Sequence, residues 1–182
     1  LAKTADDYGV SIQTLTQSYI GFYAGAKNAI ESGKISAIQI QEIFESVAKA
    51  SGALGLSQER QEGAFLAIQQ MISKGNIQAE ELRGQLSERL PGAFGILAKS
   101  MGVTEIELNK LLKDGKVLAA EVLPAFAKEL EKAYGIENLN RVETLNASVS
   151  RLGNSWVEFV EALNSGNGLF SQGITLLIDK LA

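Results

Sequence analysis

The chain of 182 residues contains no cysteine and no histidine. Without cysteine it can form neither a disulfide framework nor a reactive thiol. Without histidine it lacks the commonest metal ligand in proteins and the usual general base. Metal enzymes and hydrolases with a catalytic triad are therefore disfavoured, and the sequence predicts no cofactor and no metal site.

Basic clusters and long apolar runs are also missing. The 21 acidic and 17 basic residues give a net charge of -4 and are scattered without blocks. A nucleic-acid-binding domain normally clusters its lysines and arginines, so we expect no nucleic-acid partner. No segment approaches the ~20 apolar residues that a membrane-spanning helix needs, so we expect no membrane association. With 46% hydrophobic residues, the chain can still bury a substantial core.

The apolar residues recur at helical spacing throughout the chain, and no segment alternates as a strand would. The sequence therefore predicts an all-α fold, a compact multi-helix domain of about eight helices with no sheet. The first predicted helix ends at Gly33, and its stripe comprises Tyr8, Ile12, Leu15, Tyr19, Phe22, Ala26 and Ile30. Ser36 and Thr104 are placed to cap later helices. A further helix, from about residue 78 to 90, must end before Pro91.

A long amphipathic helix is predicted near the C-terminal end. Seven apolar residues step by three and four, which is the a/d pattern of a helix that associates with another helix. This helix-association seam comprises Val142, Leu145, Val149, Leu152, Trp156, Phe159 and Leu163. We expect the seam to pack on the first helix; a second copy of the chain, or a partner segment outside it, is the alternative.

These patterns divide the chain into a multi-helix domain at 1–139 and a C-terminal part at 140–182. The C-terminal part holds the seam helix and a terminal helix, whose apolar stripe comprises Phe170, Ile174, Leu177, Ile178 and Leu181. The chain begins without methionine and ends inside this helical pattern. We expect it to be a piece of a longer protein.

Two stretches of the chain resemble each other. Residues 75–79 and 115–119 both place a glycine, a polar residue and a β-branched residue ahead of a helix. The apolar stripe that follows the first, Leu82, Leu86 and Leu90, corresponds to Val122, Phe126 and Leu130 after the second. A glycine, an apolar residue and a cap commonly separate two helices, so we expect this ordinary pattern to explain the similarity; a duplicated helix-turn-helix unit is the alternative.

Glu88 is the one residue for which the sequence suggests a catalytic hypothesis. A carboxylate near a helix end could act as the general acid of a wall-degrading glycosidase, but such enzymes normally use a second carboxylate. Neither Glu80 nor Glu81 has a spacing that identifies it as that partner. The structural interpretation, an ion pair of Glu88 with Arg83 or Arg89, is favoured.

The segment EELRGQLSERLPGA, at residues 80–93, is followed by Gly102-Val103-Thr104. Together with its helical flanks, this segment resembles the tape measure domain of phage and prophage tail tape measure proteins. The resemblance covers about residues 5–165. The motif residues that carry it are Leu82, Arg83, Gly84, Gln85, Leu86, Glu88, Arg89, Leu90, Pro91 and Gly92.

This resemblance implies a structural and assembly module, with no enzymatic role, in a protein that sets tail length from within the tail tube. The implied partners are the tail tube, the tail tip and tail assembly chaperones, together with self-association in the tail. The implied locations are the virion tail and, during assembly, the bacterial cytoplasm. The alternative is an accessory domain of a phage-associated peptidoglycan hydrolase that uses Glu88 as its acid. Since 182 residues of short helices cannot form the ruler, that role would belong to other parts of the protein.

Overall fold

The computed structural model describes residues 2–134 and 145–164, and all regular secondary structure in these two ranges is helical. The all-α prediction is confirmed, and no strand occurs in the described ranges. They contain nine α-helices and one π-helix. The helices are α1 (Ala2–Tyr8), α2 (Ile12–Glu31), α3 (Ala37–Ala53), α4 (Gln58–Lys74), the π-helix (Glu80–Leu86), α5 (Ser87–Arg89), α6 (Ala93–Ser100), α7 (Glu105–Lys113), α8 (Ala119–Ala133) and α9 (Leu145–Asn164).

Two of the predicted caps form complete capping boxes. At the start of α3, the Ser36 hydroxyl accepts from the Gln39 N–H, and the Gln39 side chain accepts from the Ser36 N–H. Thr104 and Glu107 make the same reciprocal pair at the start of α7. Each box satisfies two backbone donors that a helix start leaves unpaired.

The first predicted helix is in fact two helices. Gly9 has a φ of 64°, a left-handed conformation that glycine adopts without strain, and it ends α1 just after Tyr8. The Val10 N–H then donates to the Ala5 carbonyl at 3.0 Å, and Ser11 caps α2. The apolar stripe continues in phase across this corner, so its spacing alone did not indicate the break.

The predicted helix at residues 78–90 is mainly a π-helix. The N–H of Ser87 donates to the carbonyl of Leu82, five residues earlier, and the Ser87 hydroxyl donates to the same oxygen at 2.7 Å. Bonds of this i→i+5 type define π geometry, which is rare in proteins. One α-turn follows, and Leu90 adopts an extended conformation, as expected for the residue before Pro91.

The core forms where α2 packs along α4 and where α3 and α6 pack on α8. Phe44 of α3 is buried in this core and contacts three other aromatic rings. Its ring stacks on that of Phe65 with centroids 4.7 Å apart, and it meets Phe22 and Tyr19 edge-on at 5.4 and 5.1 Å. Such aromatic contacts contribute about 0.5–1.5 kcal/mol each beyond the area that they bury.

The two similar stretches of sequence are neighbours in the fold. The Ile77 N–H donates to the Val117 carbonyl at 2.8 Å, and the Ala119 N–H donates to the Gly75 carbonyl at 3.0 Å. These bonds flank an isolated antiparallel bridge between Asn76 and Leu118. The two similar segments therefore join the end of α4 to the start of α8.

Two expectations about the C-terminal part fall outside the described residues. The division at 139/140 lies within 135–144, and the terminal helix lies within 165–182, so both stay predictions. Within the described ranges, no helix combines the length and the apolar character needed to cross a membrane.

Candidate functional site

The family motif forms a turn whose apolar side faces the core. Leu82, Leu86 and Leu90 are each at most 1% exposed, as their spacing predicts. Pro91 and Gly92 are exposed and lead into α6. The hydroxyl of Tyr134, just beyond α8, donates to the Pro91 carbonyl. This turn therefore fixes the path of the chain between two packed helical segments.

The two motif arginines connect the turn to different helices. The guanidinium of Arg83 lies 4.1 Å from the ring centroid of Phe94 in α6, a cation–π distance. It also donates to the Asn109 Oδ1 of α7 at 2.7 Å. Arg89 donates to the Gln85 carbonyl at 2.8 Å and lies against Gly63 of α4. A Cβ at residue 63 would lie 1.8 Å from the Arg89 Nε, so a larger residue there would displace the Arg89 side chain.

Glu88 is exposed on this turn, and the ion pair expected with Arg83 or Arg89 is not found. Its backbone carbonyl accepts from the Arg60 guanidinium at 2.7 Å. Within the described residues, no three His, Cys, Asp or Glu side chains are grouped so that they could hold a metal ion. The geometry places Glu88 on the surface of the turn.

Next to the motif, Glu81 is buried although it carries a carboxylate. Its side chain is 2% exposed, and one of its oxygens forms an ion pair with Lys74 at the end of α4. Lys74 lines two cavities. One, of about 390 Å³, is lined by the ends of α2 and α4 and the start of α8. The other, of about 370 Å³, lies between α4 and the π-helix.

Six of the seven positions of the helix-association seam lie on α9, and four of their side chains are described. Val149, Leu152 and Trp156 are 62, 73 and 65% exposed. Phe159 is half-buried, with its ring centroid 5.5 Å from that of Trp156. Val142 and the side chains of Leu145 and Leu163 lie outside the described residues. Since three of the seven seam side chains are not described, the association of the seam with the first helix stays a prediction.

The opposite face of α9 is the one that docks on the domain. The Asn154 side chain accepts from the Ile12 N–H at 2.9 Å and donates to the Val10 carbonyl at 3.1 Å. Ala147 is buried against Gly9. A Cβ at residue 9 would lie 2.0 Å from the Ala147 Cβ. Trp156 follows Ala147 by nine residues, which at 3.6 residues per turn is a rotation of about 180°. The face of α9 with small and polar side chains is therefore covered by the domain, and the apolar face is open to solvent.

Comparison with known proteins assigns the chain to a family. The family model described as "Tape measure protein" matches residues 1–165. The chain belongs to the tape measure protein family. It is 36% identical over 184 residues to the "Probable tape measure protein" of Salmonella phage Felix O1 (isolate Felix O1-VT1). That alignment covers 100% of this chain and 24% of the relative, so the chain spans about a quarter of the relative's length. No solved structure matches significantly.

Sequence reasoning missed two contacts of this tape measure domain. The pair of Lys74 and Glu81 spans the turn between two helices, where no helical periodicity relates the residues. A usable signal was the basic residue in the last turn of α4 followed by an acidic residue in the first turn of the next helix. The contact of Arg83 with Phe94 crosses the Pro91-Gly92 turn, and only the geometry of that turn places the two residues together.

Proposed function

We propose that this chain is a structural and assembly module of a phage tail tape measure protein. It takes part in determining tail length and in assembling the tail within the tube lumen. The family match over residues 1–165 carries the proposal. The name of the relative, a probable tape measure protein, supports a structural role without an enzymatic step. The module acts in the virion tail, which it reaches from the bacterial cytoplasm during assembly.

Within the whole protein, we assign the ruler to segments outside this chain. The longest described helices have 20 residues, about 30 Å, and the described α-helices fold on one another. A compact unit of this kind cannot span a tail tube. Its place in the protein is that of a folded attachment module, which fixes the ruler relative to the tail tip, the tail tube and the assembly chaperones.

The surface that serves attachment is the open apolar face of α9. We define this face by Val149, Leu152, Trp156 and Val160, which are all exposed. Contiguous apolar surface on a folded protein usually marks an interaction site. Val149, Leu152 and Trp156 keep the heptad spacing, so the best partner of this face is another helix, and we take the face as part of a long C-terminal amphipathic helix through which copies associate.

Gly153 gives independent support for a helix as the partner. It lies inside α9, is exposed, and has no atom within 4 Å of the position that a Cβ would take. A glycine within a helix costs about 1 kcal/mol relative to alanine. Nothing in the described fold explains this cost. A second helix that approaches α9 closely beside Trp156 would explain the cost, because glycine lets helix backbones come near each other.

Tail assembly tests the proposal directly. Trp156→Glu would be introduced into the full-length protein in the phage that encodes it, and tails would be counted and measured by electron microscopy. We expect few tails, or tails of irregular length, because a charge on the open face opposes association. Ile106→Glu on α7 is the matched control, since Ile106 is an apolar residue that is 82% exposed on another helix.

Two outcomes would contradict the proposal. Normal tails at normal yield with Trp156→Glu would remove the open face of α9 from assembly. A wall-lytic activity that is lost with Glu88→Gln, while tails form normally, would favour the hydrolase accessory domain instead.

A further inference from the structure

The ammonium group of Lys49 is held where α3 meets α8. Its Nζ lies 3.1 Å from the Glu131 Oε1 of α8, and the two side chains are only 15% and 22% exposed. The same Glu131 oxygen accepts a hydrogen bond from the Ser46 hydroxyl of α3 at 3.2 Å. An ion pair that is shielded from solvent and supported by a hydrogen bond holds its ammonium more firmly than a surface pair does. The position of the Lys49 ammonium is therefore set by two packed helices.

This ammonium faces the ring of Tyr8, the last residue of α1. The Lys49 Nζ lies 5.6 Å from the ring centroid, which is within the range of a cation–π contact. Burial raises the pKa of this tyrosine, and the negative charges of Glu45, Asp7 and Glu131 raise it further. Carboxylates from three helices therefore lie near the ring, and the ammonium of Lys49 offsets part of their mutual repulsion.

Tyr8 directly precedes the corner on which α9 docks. The next residue, Gly9, packs against Ala147 of α9, and the backbone just after it exchanges two hydrogen bonds with the Asn154 side chain. Helix α9 also packs on α1 itself. A displacement of the Tyr8 ring would therefore move the groups that α9 uses to dock.

We propose that Lys49 is a positioning residue for the open face of α9. By holding the Tyr8 ring, its ammonium fixes the angle of α1, and of the α9 that docks on α1, relative to α3 and α8. The direction in which the open face points is then set by the core of the domain. Only the consequence for association rests on the proposed function, because two packed helices must meet at a defined crossing angle.

The orientation of α9 can be measured in the intact chain by double electron–electron resonance. The sequence contains no cysteine, so cysteines introduced at Lys128 of α8 and Glu161 of α9 are the only attachment points for spin labels. Both positions are exposed, and Glu161 lies well beyond Asn154, where a tilt of α9 gives a large displacement. Dilution with unlabelled chain restricts the signal to pairs within one molecule. We expect Lys49→Met to widen the distribution of distances at least twofold.

Matched variants separate this role from a general loss of stability. Lys99→Met removes an ion pair that another lysine makes with α8, through Glu129, and should leave the width unchanged. Tyr8→Leu removes the ring but keeps the ion pair of Lys49 with Glu131, and it should widen the distribution as much as Lys49→Met does. Tyr8→Phe keeps an aromatic ring for the ammonium and should retain the wild-type width.

Three results would each overturn the proposal: an unchanged width in folded Lys49→Met, equal widening by Lys99→Met, or equal widths in Tyr8→Leu and Tyr8→Phe. If Lys49→Met does not fold, the two Tyr8 variants decide. Association is measured separately by sedimentation velocity, where we expect Lys49→Met to weaken it at least threefold. A wild-type chain that does not associate would contradict the proposed function, while the distance distributions would still decide whether Lys49 positions α9.

Discussion

Asn154 and Trp156 lie on opposite sides of α9. Asn154 is 7% exposed and bridges two backbone groups at the corner between α1 and α2, whereas Trp156 is 65% exposed. A helix usually buries its apolar face and exposes its polar one. The reverse arrangement on α9 indicates that a few directed hydrogen bonds place this helix, while Val149, Leu152 and Trp156 stay exposed.

Loss of the Asn154 side chain should loosen α9. Asn154→Ala removes both hydrogen bonds and leaves the Ile12 N–H and the Val10 carbonyl without their partner, at a cost of about 1–3 kcal/mol. Hydrogen exchange at the Ile12 amide should accelerate accordingly. Ser155→Ala, at the next and exposed position, should leave that exchange rate unchanged. Equal protection of Ile12 in both variants would contradict the docking that we describe.

The buried stripe of the motif should dominate the stability of the turn. Leu86→Ala should lower the free energy of unfolding by about 2–5 kcal/mol, because Leu86 is 1% exposed and its removal leaves a cavity. Leu66→Ala makes the same chemical change at a position that is 49% exposed. It should cost less than about 1 kcal/mol, since surface substitutions have small effects. Urea unfolding of both variants measures the difference, and equal losses would refute the assigned core position.

Gly63 should be coupled to Arg89. Gly63→Ala places a methyl group on the Arg89 side chain, which must move and lose its bond to the Gln85 carbonyl. We expect a loss of about 1–2 kcal/mol, of the order of one hydrogen bond with its packing. In an Arg89→Ala background, the same change should instead be neutral or stabilising by up to about 1 kcal/mol, because alanine favours helix formation. A double-mutant cycle that shows no coupling would contradict the contact.

Tyr8 should titrate abnormally. Burial, and then the charges of Glu45, Asp7 and Glu131, raise its pKa from the ordinary value of 10.0 to about 12. A raised folded-state pKa means that between about pH 10 and 12 the unfolded chain has lost a proton that the folded chain keeps. Stability should therefore fall with rising pH in this window, and less so in Tyr8→Phe. Absorbance at 295 nm should show a tyrosine that ionises near pH 12 in the wild type and is missing from Tyr8→Phe.

The features that the sequence predicted correctly are those set by local rules. The caps at Ser36 and Thr104, the stop before Pro91 and the buried spacing of Leu82 and Leu86 depend on residues within one or two turns of each other. The break at Gly9 was missed because the apolar stripe continues in phase across it. The π-helix was missed because it depends on which carbonyl accepts the hydrogen bonds of the Ser87 N–H and hydroxyl.

The sequence could not show which partner covers an apolar stripe. Heptad spacing correctly places Val149, Leu152 and Trp156 on one face of a helix, but the same spacing results whether the partner is in the chain or outside it. The structure shows that the corner between α1 and α2 contacts the other face of α9. For the same reason, the burial of Glu81 was not predictable, since it depends on how α4 and the π-helix pack.

The most direct test of the account is sedimentation velocity of the chain across a range of concentrations, with the Trp156→Glu and Ile106→Glu variants beside it. We predict that the sedimentation coefficients of the wild type and of Ile106→Glu rise with concentration, while Trp156→Glu stays monomeric. The sequence has one tryptophan, so a blue shift of its emission over the same concentrations would place the association at Trp156 itself. A wild-type chain that remains monomeric throughout, or a Trp156→Glu variant that associates equally well, would contradict the assignment of the open face of α9 as the surface through which copies associate.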